Sequence, residues 1–228
     1  TIYAGKNSEI VTFKNDVYAT TITNTGSGTI NFEKNLTATS ANIATGTVNF
    51  NTDNTSTTSS NIKFTDNGIA NLKTGLTGNI DFGGNASSTV NVSDGKGISG
   101  SISTTTNNTG ILNYLGDGLL SDIVGTVDEW VASINVNTNN EQDTNEGLSV
   151  SKNIFASTID LKNDANITLL DNANITATNI STTTNNTGTL NLQGSSTITG
   201  IVGTIGTDST LKLKEVNAGA DSSSSTFN

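Results

Sequence analysis

Hydrophobic and polar residues alternate along this chain in many short segments. A period of two predicts β-strands with one buried face and one face turned to solvent. The clearest alternating pairs are Ile30 and Phe32, Val48 and Phe50, Ile80 and Phe82, Leu112 and Tyr114, and Leu190 and Leu192. They lie in a recurring five-residue unit: GTINF at 28–32, GTVNF at 46–50, GNIDF at 78–82, GILNY at 110–114 and GTLNL at 188–192. Helical patterns are nearly absent, so the predicted fold class is all-β.

A longer repeat suggests how these strands are arranged. The segment ISTTTNNTG at 102–110 recurs unchanged at 180–188, and 16 of 25 aligned positions are identical at an offset of 78 residues. Repetition on this scale is typical of stacked units, none of which can bury its apolar residues alone. We therefore predict a right-handed parallel β-helix over residues 1–217, with the ten residues above in its internal stack. Turns of roughly 20 residues would make the offset about four turns, and residues 218–228 are predicted to be a polar tail or linker.

Residues 115–147 interrupt the alternation, and we predict that they form a lateral excursion from the rod. This segment holds the single Trp of the chain and two clusters of acidic residues. Its candidate partner-binding residues are Trp130, Asp128, Glu129, Glu141, Asp143 and Glu146. Trp is favoured at binding hot spots, and the carboxylates would orient the chain toward a basic partner. In the alternative interpretation, Trp130 packs in a small satellite core and the acidic residues are only solvated.

Composition narrows the classes of function. Thr (41), Asn (34), Ser (25) and Gly (23) fill 123 of 228 positions, while His, Cys, Met, Pro and Arg are absent. Without His and Cys, the common general base, both familiar nucleophile pairings and thiolate metal sites are missing. Ser–Lys and paired-carboxylate mechanisms stay formally possible, but we predict that the chain is not an enzyme and has no catalytic, cofactor or metal site.

Charge and hydropathy constrain the partners. The net charge of −10 would repel nucleic acid. No apolar run approaches the roughly 20 residues that span a bilayer, so we expect no direct membrane insertion by this segment.

The GTINF and GTLNL units, the TTTNNTG turns and the segment STITGIVGTIGTDSTLKLKEVNAGA at 196–220 resemble the passenger region of rickettsial surface cell antigens, the autotransporters of the outer membrane protein A and B group. The resemblance implies a passenger on the bacterial cell surface, tethered to or released from the outer membrane. It also implies an adhesin that binds an unidentified host cell-surface protein and promotes invasion. The alternative function is a structural spacer or a self-associating surface-layer segment, with homotypic association and no receptor site.

Overall fold

The computed structural model describes residues 1–51, 57–138, 146–202, 212–219 and 226–227. In these residues the chain forms strands and turns but no helix, which confirms the all-β prediction. The strands are β1 (Ile2–Ala4), β2 (Ile10–Phe13), β3 (Val17–Asn24), β4 (Thr29–Phe32), β5 (Leu36–Ile43), β6 (Thr47–Phe50), β7 (Thr58–Phe64), β8 (Ile69–Leu72), β9 (Leu76–Thr77), β10 (Ile80–Asp81), β11 (Thr89–Val92), β12 (Lys96–Ser99), β13 (Ile102–Ser103), β14 (Thr109–Tyr114), β15 (Gly118–Leu120), β16 (Val131–Val136), β17 (Gly147–Val150), β18 (Ile154–Leu161), β19 (Asn166–Leu169), β20 (Asn174–Thr182), β21 (Thr187–Leu192), β22 (Thr197–Val202), β23 (Leu213–Ala218) and β24 (Thr226–Phe227).

The strands wind into a β-helix of about nine turns. One sheet has the order β1-β3-β5-β7-β9-β12-β15-β17-β19-β21-β23, with β10 and β13 joined to it through β7. The other has the order β2-β4-β6-β8-β11-β14-β16-β18-β20-β22-β24. Each strand lies parallel to the strand one turn away, as in β4 against β6. The predicted parallel β-helix is therefore confirmed.

The pairing register divides a turn into three sides, because several long strands continue around a corner. Side A contains β2, β4, β6, β8, β11, β14, β16 and the second halves of β18, β20 and β22. Side B contains the first halves of β3, β5 and β7, then β9, β12, β15, β17, β19, β21 and β23. Side C contains β1, the second halves of β3, β5 and β7, then β10, β13, a bridge at Val124, the first halves of β18, β20 and β22, and β24.

The core lies inside these three sides and runs the length of the described rod. All ten residues predicted for the internal stack are buried, each at most 1% exposed. Neighbouring turns also stack aromatic rings, with Phe32 and Phe50 centroids 5.9 Å apart and Phe64 and Phe82 centroids 5.4 Å apart. Each fully buried Phe or Ile side chain contributes about 1.5 to 3 kcal/mol, and each needs the next turn to cover it. Stability is therefore shared between turns.

Asn and Asp side chains join successive turns at the corners. In several corners, the side-chain oxygen of one turn accepts a hydrogen bond from a backbone N–H of the next turn. These pairs are Asn35 with Thr57, Asn67 with Ser87, Asn79 with Ser101, Asp94 with Asp117, and Asp171 with Ser195, at 2.9 to 3.0 Å. Corners interrupt the strand ladder and leave backbone donors that need other acceptors. The high Asn content of the chain supplies them.

Six Asn side chains form a hydrogen-bonded column on the outer surface of side A, which we call the asparagine ladder. Each Nδ2 donates to the Oδ1 of the preceding turn at 2.6 to 2.8 Å, and the first donates to Thr12 Oγ1 at 3.2 Å. The column then continues into Asp160, which pairs with the last Asn in register. The members of the ladder are Asn31, Asn49, Asn71, Asn91, Asn113 and Asn135.

The 78-residue repeat spans three turns plus one side, so the prediction of about four turns was wrong. Three turns from Ile102 on side C lead through Val124 and Ile154 to Ile175. The repeat partner of Ile102 is Ile180, which lies one side further along, on side A. The two copies nevertheless build the same corner. In each, two Thr hydroxyls bond to one another, and the Asn directly before the second Thr has a φ of 60° or 62°.

The excursion is also narrower than the predicted range of 115–147. Gly118–Leu120 pairs on side B and Val131–Val136 pairs on side A, because both carry inward apolar residues in phase with their neighbours. The irregular part within the described chain is 121–130, whereas 139–145 lies outside the described residues. In the segment predicted to be a tail, Thr226–Phe227 pairs with Thr197 and Ile198.

Candidate functional site: the Trp130 loop

The irregular segment projects from the corner between sides C and A. It leaves the rod after the buried Val124 and Gly125, where Gly125 has a φ of +69°, and returns to it at Val131. We call residues 126–130 the Trp130 loop. A closed turn shapes it: Thr126 N–H donates to the Glu129 carbonyl at 2.8 Å, and Glu129 N–H donates to Thr126 Oγ1 at 3.0 Å. The loop therefore has a defined conformation of its own.

Trp130 is half-buried and fixed by three hydrogen bonds. Its indole N–H donates to the Val127 carbonyl at 3.1 Å. Its backbone N–H donates to Asn107 Oδ1 at 2.7 Å, and its carbonyl accepts from Asn108 N–H at 2.9 Å. Asn107 and Asn108 belong to the first copy of the TTTNNTG repeat, so this corner holds the loop against the preceding turn. Trp130 is therefore neither fully buried nor fully exposed, and both interpretations of it stay predictions.

The most exposed apolar residue of the loop is one that the sequence analysis missed. Val127 is 71% exposed at the tip, and Ile123, just before the loop, is 36% exposed. In the sequence, Val127 is an apolar residue outside any alternating segment, and this feature could have identified it. Asp128 is exposed and Glu129 half-buried, so the two predicted carboxylates directly follow an exposed apolar residue. Such an arrangement suits a partner with an apolar pocket and a basic rim.

Of the three acidic residues predicted further along the chain, the structure describes only Glu146, which does not join this site. Glu141 and Asp143 lie outside the described residues. Glu146 is buried, at 9% exposed, directly before β17 at the corner between sides A and B. Its carbonyl accepts from Asn166 N–H at 3.0 Å. The Trp130 loop occupies the corner between sides C and A, so Glu146 belongs to a different corner.

A shallow groove on side B is a second accessible surface. Its volume is about 250 Å³, and its floor includes Gly75 and Gly97. Two glycines one turn apart leave outward positions without side chains, and Leu119 on the next turn closes one end. Thr77 and Ser99 add hydroxyls to the wall. None of the described residues that line the groove is charged, so it offers a partner no electrostatic contact, unlike the loop.

Two other features are absent from the described residues. No cluster of three or more Asp, Glu, His or Cys residues there could hold a metal ion. No helix of the described chain has the length and apolarity needed to cross a membrane.

Comparisons of the chain with protein-family models, with curated proteins and with solved structures found no match.

Proposed function

We propose that the chain is a surface-exposed segment of an autotransporter passenger, and that it acts as an adhesin binding host cells through the Trp130 loop. The observation that carries this proposal is a 71%-exposed Val127 held on a hydrogen-bonded loop of a continuously packed rod. Recognition commonly resides on loops that a rigid scaffold positions. A loop that is ordered before binding loses less entropy on association.

The partner that fits this surface is a host cell-surface protein with an apolar pocket beside basic residues. Val127 and the accessible part of Trp130 would enter the pocket, and Asp128 and Glu129 would face the basic rim. Exposed charge pairs at such a rim mainly raise the association rate, and salt screens them. Binding should therefore weaken as ionic strength rises, while the apolar contact persists.

The test uses the purified chain, labelled with a fluorophore, on cultured mammalian cells at two ionic strengths. Val127→Ser should reduce binding about tenfold or more, the effect expected of a hot spot worth about 1.4 kcal/mol or more. Ile10→Ser is the matched control, since Ile10 is 73% exposed but lies on the first turn. Asp128→Asn should lower the association rate at low salt only. Far-UV circular dichroism and the melting temperature should be unchanged in all three variants.

The alternative is a structural spacer or self-associating segment without a receptor site. The continuous core and the asparagine ladder favour this alternative, because both would stabilise a long rod whether or not its loops bind a partner. Cells that bind neither the parent nor any variant would support the spacer. If Val127→Ser and Ile10→Ser bind as tightly as the parent, but replacing 137–147 by a Gly-Ser turn abolishes binding, the receptor site lies in that second segment.

A further inference from the structure

Asn67 differs from every other asparagine of the chain in the residue that follows it. Of the 34 Asn residues, only Asn67 precedes a glycine. In deamidation, the backbone nitrogen of the next residue attacks the Asn side chain, and a side chain on that next residue hinders the attack. Glycine has none. Asn67 is exposed at the corner between sides C and A, shortly before β8, so water and hydroxide reach its amide.

The fold places a hydrogen-bond donor on the carbonyl group that would be attacked. Asn67 Oδ1 accepts from the Ser87 backbone N–H of the next turn at 2.9 Å. Attack on Cγ turns this oxygen into an oxyanion, and a fixed N–H donor stabilises such a charge. The corner therefore supplies stabilisation that an unfolded chain leaves to water.

The attacking nitrogen lies outside the hydrogen bonds between turns. Gly68 N–H donates to the Asp66 carbonyl at 2.9 Å, a bond within its own turn. Asn79 occupies a comparable corner, where its Oδ1 accepts from Ser101 N–H at 3.0 Å. There, however, the following Ile80 N–H donates to the Ser101 carbonyl of the next turn at 2.9 Å. Loss of the amide proton at Ile80 would break a bond between turns, whereas its loss at Gly68 breaks none.

We propose that Asn67 is a site of spontaneous modification, at which the Gly68 nitrogen displaces the side-chain amide. Gly68 N loses its proton to a solvent base and bonds to Asn67 Cγ, the Cγ–Nδ2 bond breaks, and ammonia leaves with a proton taken from water. Water then opens the succinimide ring that has formed. Cleavage of the ring bond from Gly68 N to Cγ gives Asp at position 67. Cleavage of the ring bond to the former backbone carbonyl carbon gives isoaspartate, in which the backbone runs through Cβ and Cγ.

The corner accommodates one product better than the other. Asp at position 67 retains an acceptor for Ser87 N–H, and Asp94 and Asp171 already bind the next turn in this way at 2.9 and 3.0 Å. Isoaspartate adds one carbon to the backbone directly before Gly68. That residue has little room to shift, since even a Cβ built on it would overlap the Ala44 carbonyl oxygen. The folded rod should therefore yield a larger share of aspartate than the unfolded chain.

The test follows position 67 in the purified full chain, kept folded in mildly alkaline buffer made with oxygen-18 water. Trypsin releases 64–73, which contains Asn67 and the ladder residue Asn71, and 74–96, which contains Asn79. Oxygen-18 should enter position 67 about tenfold or more faster than positions 71 and 79, as measured by mass spectrometry, because only there is the nucleophile unhindered and placed for attack. Equal rates at positions 67 and 79 would refute the proposal. An unmodified position 67, at a time when the urea-unfolded chain has converted, would refute it as well.

Two further measurements separate reaction in the folded corner from reaction after unfolding. In urea below the unfolding transition, the rate at position 67 should stay constant; a rate that rises with the unfolded fraction would overturn the proposal. Asn67→Asp supplies the favoured product directly, and its melting temperature should match that of the parent, whereas the matched variant Asn67→Ala loses the acceptor and should melt lower. An Asn67→Asp melting temperature as low as that of Asn67→Ala would contradict the accommodation of aspartate. These results do not depend on the Trp130 loop, so the modification and cell binding can fail separately.

Discussion

Replacing Asn91 by alanine tests whether the asparagine ladder stabilises the rod. Asn91 donates to Asn71 at 2.7 Å and accepts from Asn113 at 2.8 Å, so the substitution removes two hydrogen bonds. A typical intramolecular hydrogen bond contributes about 0.5 to 1.5 kcal/mol. Because the ladder is half-exposed, water can replace part of the loss, and we expect about 1 to 2 kcal/mol of destabilisation. For a chain of this size, that corresponds to a melting temperature lower by about 2 to 8 °C.

Asn91→Asp should cost more at neutral pH than Asn91→Ala. A carboxylate at this position still accepts from Asn113, but it cannot donate to Asn71 and instead faces the Asn71 Oδ1 acceptor. This environment favours the neutral acid, so the pKa of the introduced carboxyl should rise on folding. Protonation restores a donor, and the variant should therefore recover stability relative to the parent as pH falls through that raised pKa. Stability lost on acidification, relative to the parent, would contradict the geometry.

The assay is thermal and chemical denaturation followed by far-UV circular dichroism, with Thr77→Ala on side B as the control. Thr77 lies outward in its strand, in register with Ser59 and Ser99, outside the ladder. Asp160→Asn gives a test of the opposite sign, since an amide there could donate to Asn135 and extend the ladder by one turn. We expect it to stabilise by about 0.5 to 1.5 kcal/mol. If Asn91→Ala costs no more than Thr77→Ala, the ladder contributes nothing measurable.

Three further predictions concern the core and the turns. Val48→Asp should destabilise by about 3 to 5 kcal/mol, because it leaves an unpaired charge among buried residues, while Thr47→Asp on the outward face should cost far less; similar melting temperatures would contradict the inward stack. Deletion of 102–174 removes three turns in register and should leave a folded rod whose circular dichroism spectrum is mostly that of β structure. Deletion of 102–175 is one residue longer and exchanges the inward and outward faces of the strands downstream, so that variant should unfold. Equal unfolding of the two variants would show that the register between turns does not decide stability. Burial raises the pKa of Tyr114 above its ordinary value, so alkaline titration of the folded chain should show fewer than the three phenolates of the sequence. The last phenolate should appear only with unfolding, and stability should fall as pH rises above about 10, where an unfolded tyrosine ionises; three phenolates in the folded chain would contradict its burial.

The apolar alternation was sufficient to predict the strands that carry the core. Val48 and Phe50 have one polar residue between them, so in a β-strand both side chains point to the same face, which is the buried one. The number of sides in a turn was not predicted, because the alternating pairs look the same in the sequence on every side. Val48 lies on side A, Ile80 on side C and Leu190 on side B, and only the register between turns separates them.

The asparagine ladder was missed for a different physical reason. The sequence analysis placed Asn only in the TTTNNTG turns, and Asn35 likewise lies at a corner, but Asn49 and Asn91 lie inside strands. The recurring fourth letter of GTINF and GTVNF marked these positions in the sequence. Recognising the ladder required the register between turns, since hydrogen bonding between them depends on alignment across about 20 residues. The bounds of the Trp130 loop could not be predicted for the same reason. Only the register between turns shows that Val131 pairs within the rod while Val127 lies outside it.

The offset between the two TTTNNTG copies has a consequence for how such a chain can change over generations. Since the copies lie one side apart and still form the same corner, the element that genetic duplication can multiply is a single side with its corner, not a whole turn. Gain or loss of one such element would leave the downstream rod intact while turning it about its long axis. Every loop beyond the event would then point in a new direction. A lineage could thus redirect its loops without altering a residue in any of them.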